Sequence, residues 1–177
     1  PGFIPNPVTF DSENRPYIIE KGKPLNNVYN FANELIIHTL NKNKVWESWN
    51  LSEVIKEYKN KEFRTGVAQE ERVIIDSEGG IYIAVEFIDS SLLLYSNDAG
   101  KNWQGYPLDT ISIKFESFPN VNPPTIMATN NDGRNLYAII PKKLQNGSLN
   151  VSNKIKLSDN AWNPLNGGGF MRYSYSY

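Results

Sequence analysis

The sequence predicts an all-β fold of about three successive four-stranded antiparallel units. Three observations carry this expectation: short apolar runs rich in β-branched and aromatic residues, explicit turn chemistry between them, and a recurring internal order. The strand signals are Val8 to Phe10, Tyr17 to Ile19, Glu34 to Leu40, Val73 to Ile75, Ile81 to Phe87, Leu92 to Tyr95, Thr125 to Ala128 and Leu136 to Ile140. Between them lie Asp11-Ser12-Glu13-Asn14, Asp76-Ser77-Glu78-Gly79-Gly80 and Asn131-Asp132-Gly133-Arg134. These supply the residues that tolerate positive φ and whose side chains accept backbone hydrogen bonds. One short helix is expected over Leu51 to Lys59, with Ser52 as its cap and Val54, Ile55 and Tyr58 at helical spacing.

The recurring order is an apolar strand, an Asp or Asn turn, a Tyr-bearing strand, another strand and then a Trp. It runs from Asp11 through Tyr17 to Trp46, from Asp76 through Tyr82 to Trp103, and from Asn131 through Tyr137 to Trp162. The tryptophans stand 57 and 59 positions apart (103 − 46 and 162 − 103), a length that suits four strands per unit. Repetition of one inter-unit contact favours blades of a β-propeller over a β-sandwich or jelly roll. The expected blades are approximately 5–51, 70–110 and 122–166 of a single segment spanning 1–177, with 167–177 starting the next blade or closing a ring. Three blades leave an incomplete ring of the six or seven usual for such folds. The chain should therefore meet the remaining blades of a larger protein, or a second copy of itself.

Composition narrows the partners. There are 18 basic and 19 acidic side chains, so no overall field attracts nucleic acid or an anionic membrane. No apolar run is long enough to span a bilayer. The chain has no Cys, which excludes disulfides and thiolate metal sites. Asn130, Asn131 and Asp132 lack the second carboxylate that calcium would want, and a tight turn is the expectation there. No metal or cofactor is implied.

Ser96-Asn97-Asp98-Ala99-Gly100-Lys101-Asn102-Trp103 fits the pattern Ser-x-Asp-x-Gly-x-x-Trp. In this respect the chain resembles Asp-box proteins, the bacterial neuraminidase repeat of sialidase-like propellers. The chemistry of the pattern is that of a turn: Asp98 accepts backbone N–H groups, Gly100 takes positive φ, Ser96 adds a hydroxyl bond and Trp103 packs on the hairpin. Degenerate versions stand at Asn41 to Trp46 and at Ser158 to Trp162. The resemblance implies that Ser96, Asp98, Gly100 and Trp103 are structural, on the side away from a ligand face.

The same resemblance implies a secreted or periplasmic, glycan- or polysaccharide-directed protein, as part of a glycoside hydrolase or polysaccharide lyase or as a binding element. Its ligand face would be built by loops entering each inner strand and by those joining second to third strands: Glu20 to Asn33, Leu51 to Arg72, Phe87 to Ser90, Leu108 to Pro124 and Pro141 to Asn150. Phe63-Arg64-Thr65-Gly66 resembles the family segment bearing the first carboxylate-binding arginine, and Ala84-Val85-Glu86 the acidic stretch after it. Arg64, Glu70, Glu71, Arg72 and Glu86 are thus the candidate substrate-binding residues. Adjacent Glu70 and Glu71 point to opposite faces of a strand and cannot flank one glycosidic bond, so an ordinary polar loop end is their alternative. His38, the single histidine, suits proton abstraction in a lyase or a plain structural role. A noncatalytic interaction or scaffold propeller is the alternative from a different class.

Overall fold

In the computed structural model the described residues are 8–21, 31–32, 34–58, 63–64, 73–87, 89–110, 112–116, 122–129 and 135–158. In chain order the strands are β1 (Val8–Phe10), β2 (Pro16–Lys21), β3 (Phe31–Ala32), β4 (Leu35–Leu40) and β5 (Trp46–Asn50), followed by helix α1 (Ser52–Tyr58). Next come β6 (Phe63–Arg64), β7 (Val73–Ile75), β8 (Ile81–Glu86), β9 (Ser91–Ser96) and β10 (Gln104–Leu108). The last are β11 (Ser112–Glu116), β12 (Thr125–Thr129), β13 (Leu136–Ile139), β14 (Lys142–Lys143), β15 (Leu149–Asn150) and β16 (Lys154–Ser158).

Three antiparallel sheets follow one another along the chain. The first has the order β1-β2-β4-β5, and the third the order β11-β12-β13-β16. The second is a meander of β7, β8, β9 and β10, whose β8 edge is extended by β6 and β3. A small hairpin of β14 and β15 interrupts the passage from β13 to β16.

Alternation of side chains gives each sheet two faces, and both faces of the second are covered. Its Ile81, Ile83, Val85, Leu92 and Leu94 pack with Tyr17, Ile19, Leu35 and Ile37 of the first sheet and with Leu51 and Ile55 beside and in the helix. Its opposite face, Tyr82, Ala84, Leu93 and Tyr95, packs with Ile113, Ile126, Ala128 and Ile139 of the third. We call the side of each sheet that looks toward its predecessor the leading face and the other the trailing face.

One tight turn recurs. At 11–15, 41–45 and 76–80 the first residue's N–H reaches the carbonyl four positions on, and its side-chain Oδ1 accepts the N–H groups two and four positions on. The fourth residue has positive φ in each, Asn14, Lys44 and Gly79. This is the three-residue hairpin loop that ends in a left-handed position, with Asp or Asn satisfying amides that water would otherwise have to reach.

Three expectations change. The first strand of the third sheet is β11, so that sheet spans 112–158 where 122–166 was expected, and Tyr137 lies in its third strand. The Leu108 to Pro124 stretch, expected as a loop, holds this strand: Ile113 faces the core between Ser112 and Lys114, a period-2 signal masked by the prolines after it. The helix begins at Ser52, but Ser52 Oγ accepts the Leu35 N–H while Asn50 Oδ1 accepts the Ser52 N–H. The capping side chain is thus Asn50, and Ser52 ties the helix to the first sheet. Pro141 to Asn150, expected on the ligand face, lies between β13 and β16 and bonds the 97–103 loop at the opposite end through Gly147. The turn at 131–134, Trp162 and the 167–177 tail lie outside the described residues.

Candidate functional site

The end of the second sheet nearest the expected ligand loops carries two of the five candidate binding residues. β6 pairs with β8 so that Arg64 stands in register opposite Glu86. Glu86 lies on the trailing face, and its Oε1 accepts the Ile113 N–H at 2.9 Å. That bond fixes the first strand of the third sheet against the second and occupies one carboxylate oxygen. Glu70, Glu71 and Arg72 lie outside the described residues. His38 is in β4 on the leading face of the first sheet, with Nδ1 2.7 Å from Ser48 Oγ and Nε2 2.9 Å from Glu20 Oε2. It is remote in the fold from Arg64 and Glu86, which belong to the second sheet.

The opposite end carries the turn between β9 and β10. Ser96 Oγ donates to Asp98 Oδ1 at 2.8 Å and accepts the Gly100 N–H at 3.0 Å. Asp98 also accepts the Asn102 N–H at 2.9 Å and Asn102 Nδ2 at 2.6 Å. Partial burial pushes the Asp98 carboxyl upward, but the bonds from Asn102 and Ser96 outweigh it and hold the group below its ordinary value. Trp103 Nε1 donates to the Gly100 carbonyl at 2.8 Å, pinning the indole over the loop. Gly100 has φ of 89°, and a Cβ there would lie 3.2 Å from the Trp49 ring. Both conformation and space demand glycine. The degenerate pattern at Asn41 to Trp46 does not build this loop: only five residues, 41–45, separate β4 from β5, where seven, 97–103, separate β9 from β10, and the shorter stretch makes the tight turn instead.

Beside this loop is a polar network that reasoning from sequence missed. Asp76, buried at the turn of the second sheet, accepts the Tyr82 hydroxyl at 2.7 Å and Lys143 Nζ at 2.7 Å. Lys143 comes from β14 and also reaches Glu78 Oε2 at 2.7 Å. Tyr95 stacks on Tyr82 with centroids 4.8 Å apart. Burial, then the bond to Asp76, raises the Tyr82 phenol well above its ordinary range. Burial pulls Lys143 down, but Asp76 and Glu78 win and raise it. A phenol held neutral in this way is a hydrogen-bond donor and no ready nucleophile. The Asp–Tyr half of the network has a signal in the sequence: Asp11 and Tyr17 are separated as Asp76 and Tyr82 are, and Tyr17 donates to Asp11 at 3.4 Å.

The hairpin that supplies Lys143 is tied down elsewhere too. Asn97 Nδ2 donates to the Gly147 carbonyl at 3.1 Å, and Tyr106 Oη accepts the Leu149 N–H at 2.7 Å. Next to it lies an open cleft of about 520 Å³ bounded by Glu78, Asn122, Pro123, Lys142, Lys143 and Asn150, among others. Among the described residues no group of three or more His, Asp or Glu is placed to hold a metal ion, and no helix is long and apolar enough to cross a membrane.

The architecture defines an all-β chain of antiparallel sheets stacked in chain order, with tight turns wired by Asp and Asn. No family model, curated protein or solved structure matches the chain.

Proposed function

We propose that the chain is a three-blade segment of a sialidase-like Asp-box β-propeller, secreted or periplasmic, and directed at glycans or polysaccharides. One observation carries the reading. The Ser96, Asp98, Gly100 and Trp103 loop joins the last two strands of a four-stranded meander, and that meander is covered on each face by the sheet before and the sheet after it. Successive sheets in this relation are what blades around an axis require. On this reading Arg64, at the end of the second sheet away from that loop, binds the carboxylate of an acidic sugar, because guanidinium groups match carboxylates in bidentate geometry.

A second reading, a noncatalytic binding or scaffold propeller, is favoured by Glu86. Its carboxylate serves the Ile113 N–H, a structural task that competes with acid or base work. The test is a panel of glycans and acidic polysaccharides screened for binding, alongside hydrolysis of fluorogenic sialosides. The reading expects binding to at least one acidic glycan, weakened about tenfold or more in Arg64→Ala as one charged contact is lost. Hydrolysis would assign an enzyme, and glycan binding alone a carbohydrate-binding element. A chain that binds none of the panel sinks the glycan assignment.

A further inference from the structure

The hairpin of β14 and β15 turns through an Asn-Gly pair that the proposed function does not use. Asn146 stands at its exposed tip, and Gly147 follows with φ of 80°. Asn146 Oδ1 accepts two bonds from one residue, the Ser148 N–H at 3.1 Å and the Ser148 hydroxyl at 2.6 Å. The other Asn-Gly pair, Asn166-Gly167, lies outside the described residues.

A carboxamide held in this way is set to react with its own backbone. When hydroxide removes the Gly147 N–H proton, the nitrogen attacks Asn146 Cγ and an N–C bond closes a ring. Negative charge then develops on Oδ1, where both Ser148 donors already point, the arrangement that stabilises oxyanions in acyl transfer. The Cγ–Nδ2 bond breaks, ammonia leaves with a proton taken from water, and a succinimide remains. Water opens the ring at either carbonyl. One product is aspartate, and the other is isoaspartate, whose main chain runs through Cβ and Cγ and is longer by a methylene. Glycine permits the attack because no Cβ crowds the nitrogen. One bond opposes it, since the Gly147 N–H donates to the Leu144 carbonyl at 3.0 Å. At an exposed tip, opening that bond slows the attack by about tenfold at most.

Asn150 is an internal control. Ser152 gives its Oδ1 the same pair of bonds, at 2.9 and 2.6 Å, but the next residue is Val151, whose branched side chain crowds the attacking nitrogen. The tip also has no slack for a longer backbone. The Gly147 carbonyl accepts Asn97 Nδ2 at 3.1 Å, and a Cβ on Gly147 would lie 2.4 Å from that same nitrogen.

We propose that Asn146 is a self-modification site: it closes on Gly147 as a succinimide, and the isoaspartate that follows detaches the hairpin tip from Asn97. Neither the blade arrangement nor the glycan assignment is needed for it.

Ageing the full chain in mildly alkaline buffer tests it. The tryptic peptide from Leu144 to Lys154 holds both asparagines, and fragment sequencing locates the mass gain of an amide turned acid. Asn146 should convert about tenfold or more faster than Asn150. Ser148→Ala removes the hydroxyl donor and should slow Asn146 about threefold to tenfold in the folded chain. In urea, where the turn is gone, the two chains should convert at one rate. Isoaspartate is identified with an isoaspartyl methyltransferase, and the chain carrying it should exchange its β14 and β15 amides about tenfold faster than fresh protein. Asn146→Asp, measured fresh, keeps the acceptor and adds charge without length, so its exchange should match that of unaged wild type. An Asn146 that stays intact, converts no faster than Asn150 or ignores Ser148→Ala overturns the site, as does a Ser148→Ala effect that persists in urea. Equal exchange in aged and fresh chains, or equally fast exchange in Asn146→Asp, overturns the release of the tip by the added methylene.

Discussion

The turns at 11–15 and 76–80 have the same backbone and the same buried Asp, but they solve the problem of that charge differently. In the first, the cation is local: Arg15 Nε lies 2.6 Å from Asp11 Oδ2, four residues along the chain. In the second, the equivalent position is Gly80 (15 + 65), where a Cβ would meet Asp76 Oδ2 at 2.6 Å and the Tyr95 ring at 3.1 Å. No side chain fits there, and the cation arrives from β14 as Lys143. One turn is self-sufficient, whereas the other makes the third part of the molecule a condition of its own stability. A buried carboxylate must have a partner, but the sequence is free to find it near or far.

The comparison can be broken most severely at the carboxylates. Asp76→Ala leaves the buried Tyr82 hydroxyl without this acceptor and Lys143 with Glu78 alone, and should cost about 3–5 kcal/mol in urea unfolding. Asp11→Ala should cost less, about 1–3 kcal/mol, because Arg15 can turn to solvent and the Tyr17 bond is long. Equal losses would show that the non-local tie adds nothing. Gly80→Ala should follow at about 1–3 kcal/mol, from overpacking against Tyr95, measured by the same unfolding curve. Lys143→Met should cost about 1–2 kcal/mol and, unlike Arg15→Met, should speed hydrogen exchange in β14 and β15 as well as in the turn.

The smallest effects are in pH dependence. Partial burial raises Asp11, but the backbone bonds and Arg15 prevail and leave it depressed. Its stabilisation is therefore present above the ordinary carboxylate range near pH 4 and lost as pH falls below it. Asp11→Asn should flatten that acid limb, and so should Asp98→Asn, whose carboxyl is depressed for the reason given above. Tyr82 and Lys143 are raised, so their contribution is intact below about pH 10 and declines as pH rises beyond it. Lys143→Met should lessen this alkaline limb by the lysine's share, Tyr82 keeping its own, and leave the acid limb alone. Thermal melts across the pH range read both.

Much of the architecture was legible because its causes are local. Val73 to Ile75, the Asp76 turn and Ile81 to Phe87 announce a hairpin through β-branched side chains and an amide-accepting Asp. Trp46, Glu47, Ser48, Trp49 and Asn50 did not read as a strand, because β5 is an outer strand with little apolar alternation; its pairing with β4 is what makes it one. β11 was hidden by neighbouring prolines, and that slip moved the third unit one strand along the chain. The site was legible only in part. Arg64 and Glu86 come together through a strand pair, while Lys143 could not be assigned to Asp76 from spacing, since 67 positions (143 − 76) separate them. Long-range pairing is set by how sheets stack, and a single local pattern does not encode it.

Burial of the second sheet on both sides has a consequence for biosynthesis. When Leu108 has been added, that sheet is complete in sequence, and residues from the first sheet can already shield one side of it. The other side, with Tyr82, Ala84, Leu93 and Tyr95, waits for buried partners of which the last is Leu149, 41 residues later (149 − 108). At translation speeds of about 5–20 residues per second this wait lasts about 2–8 seconds. For that interval the nascent polypeptide presents this half-covered sheet to whatever surrounds the ribosome, and a holding factor acting there would have the most to protect.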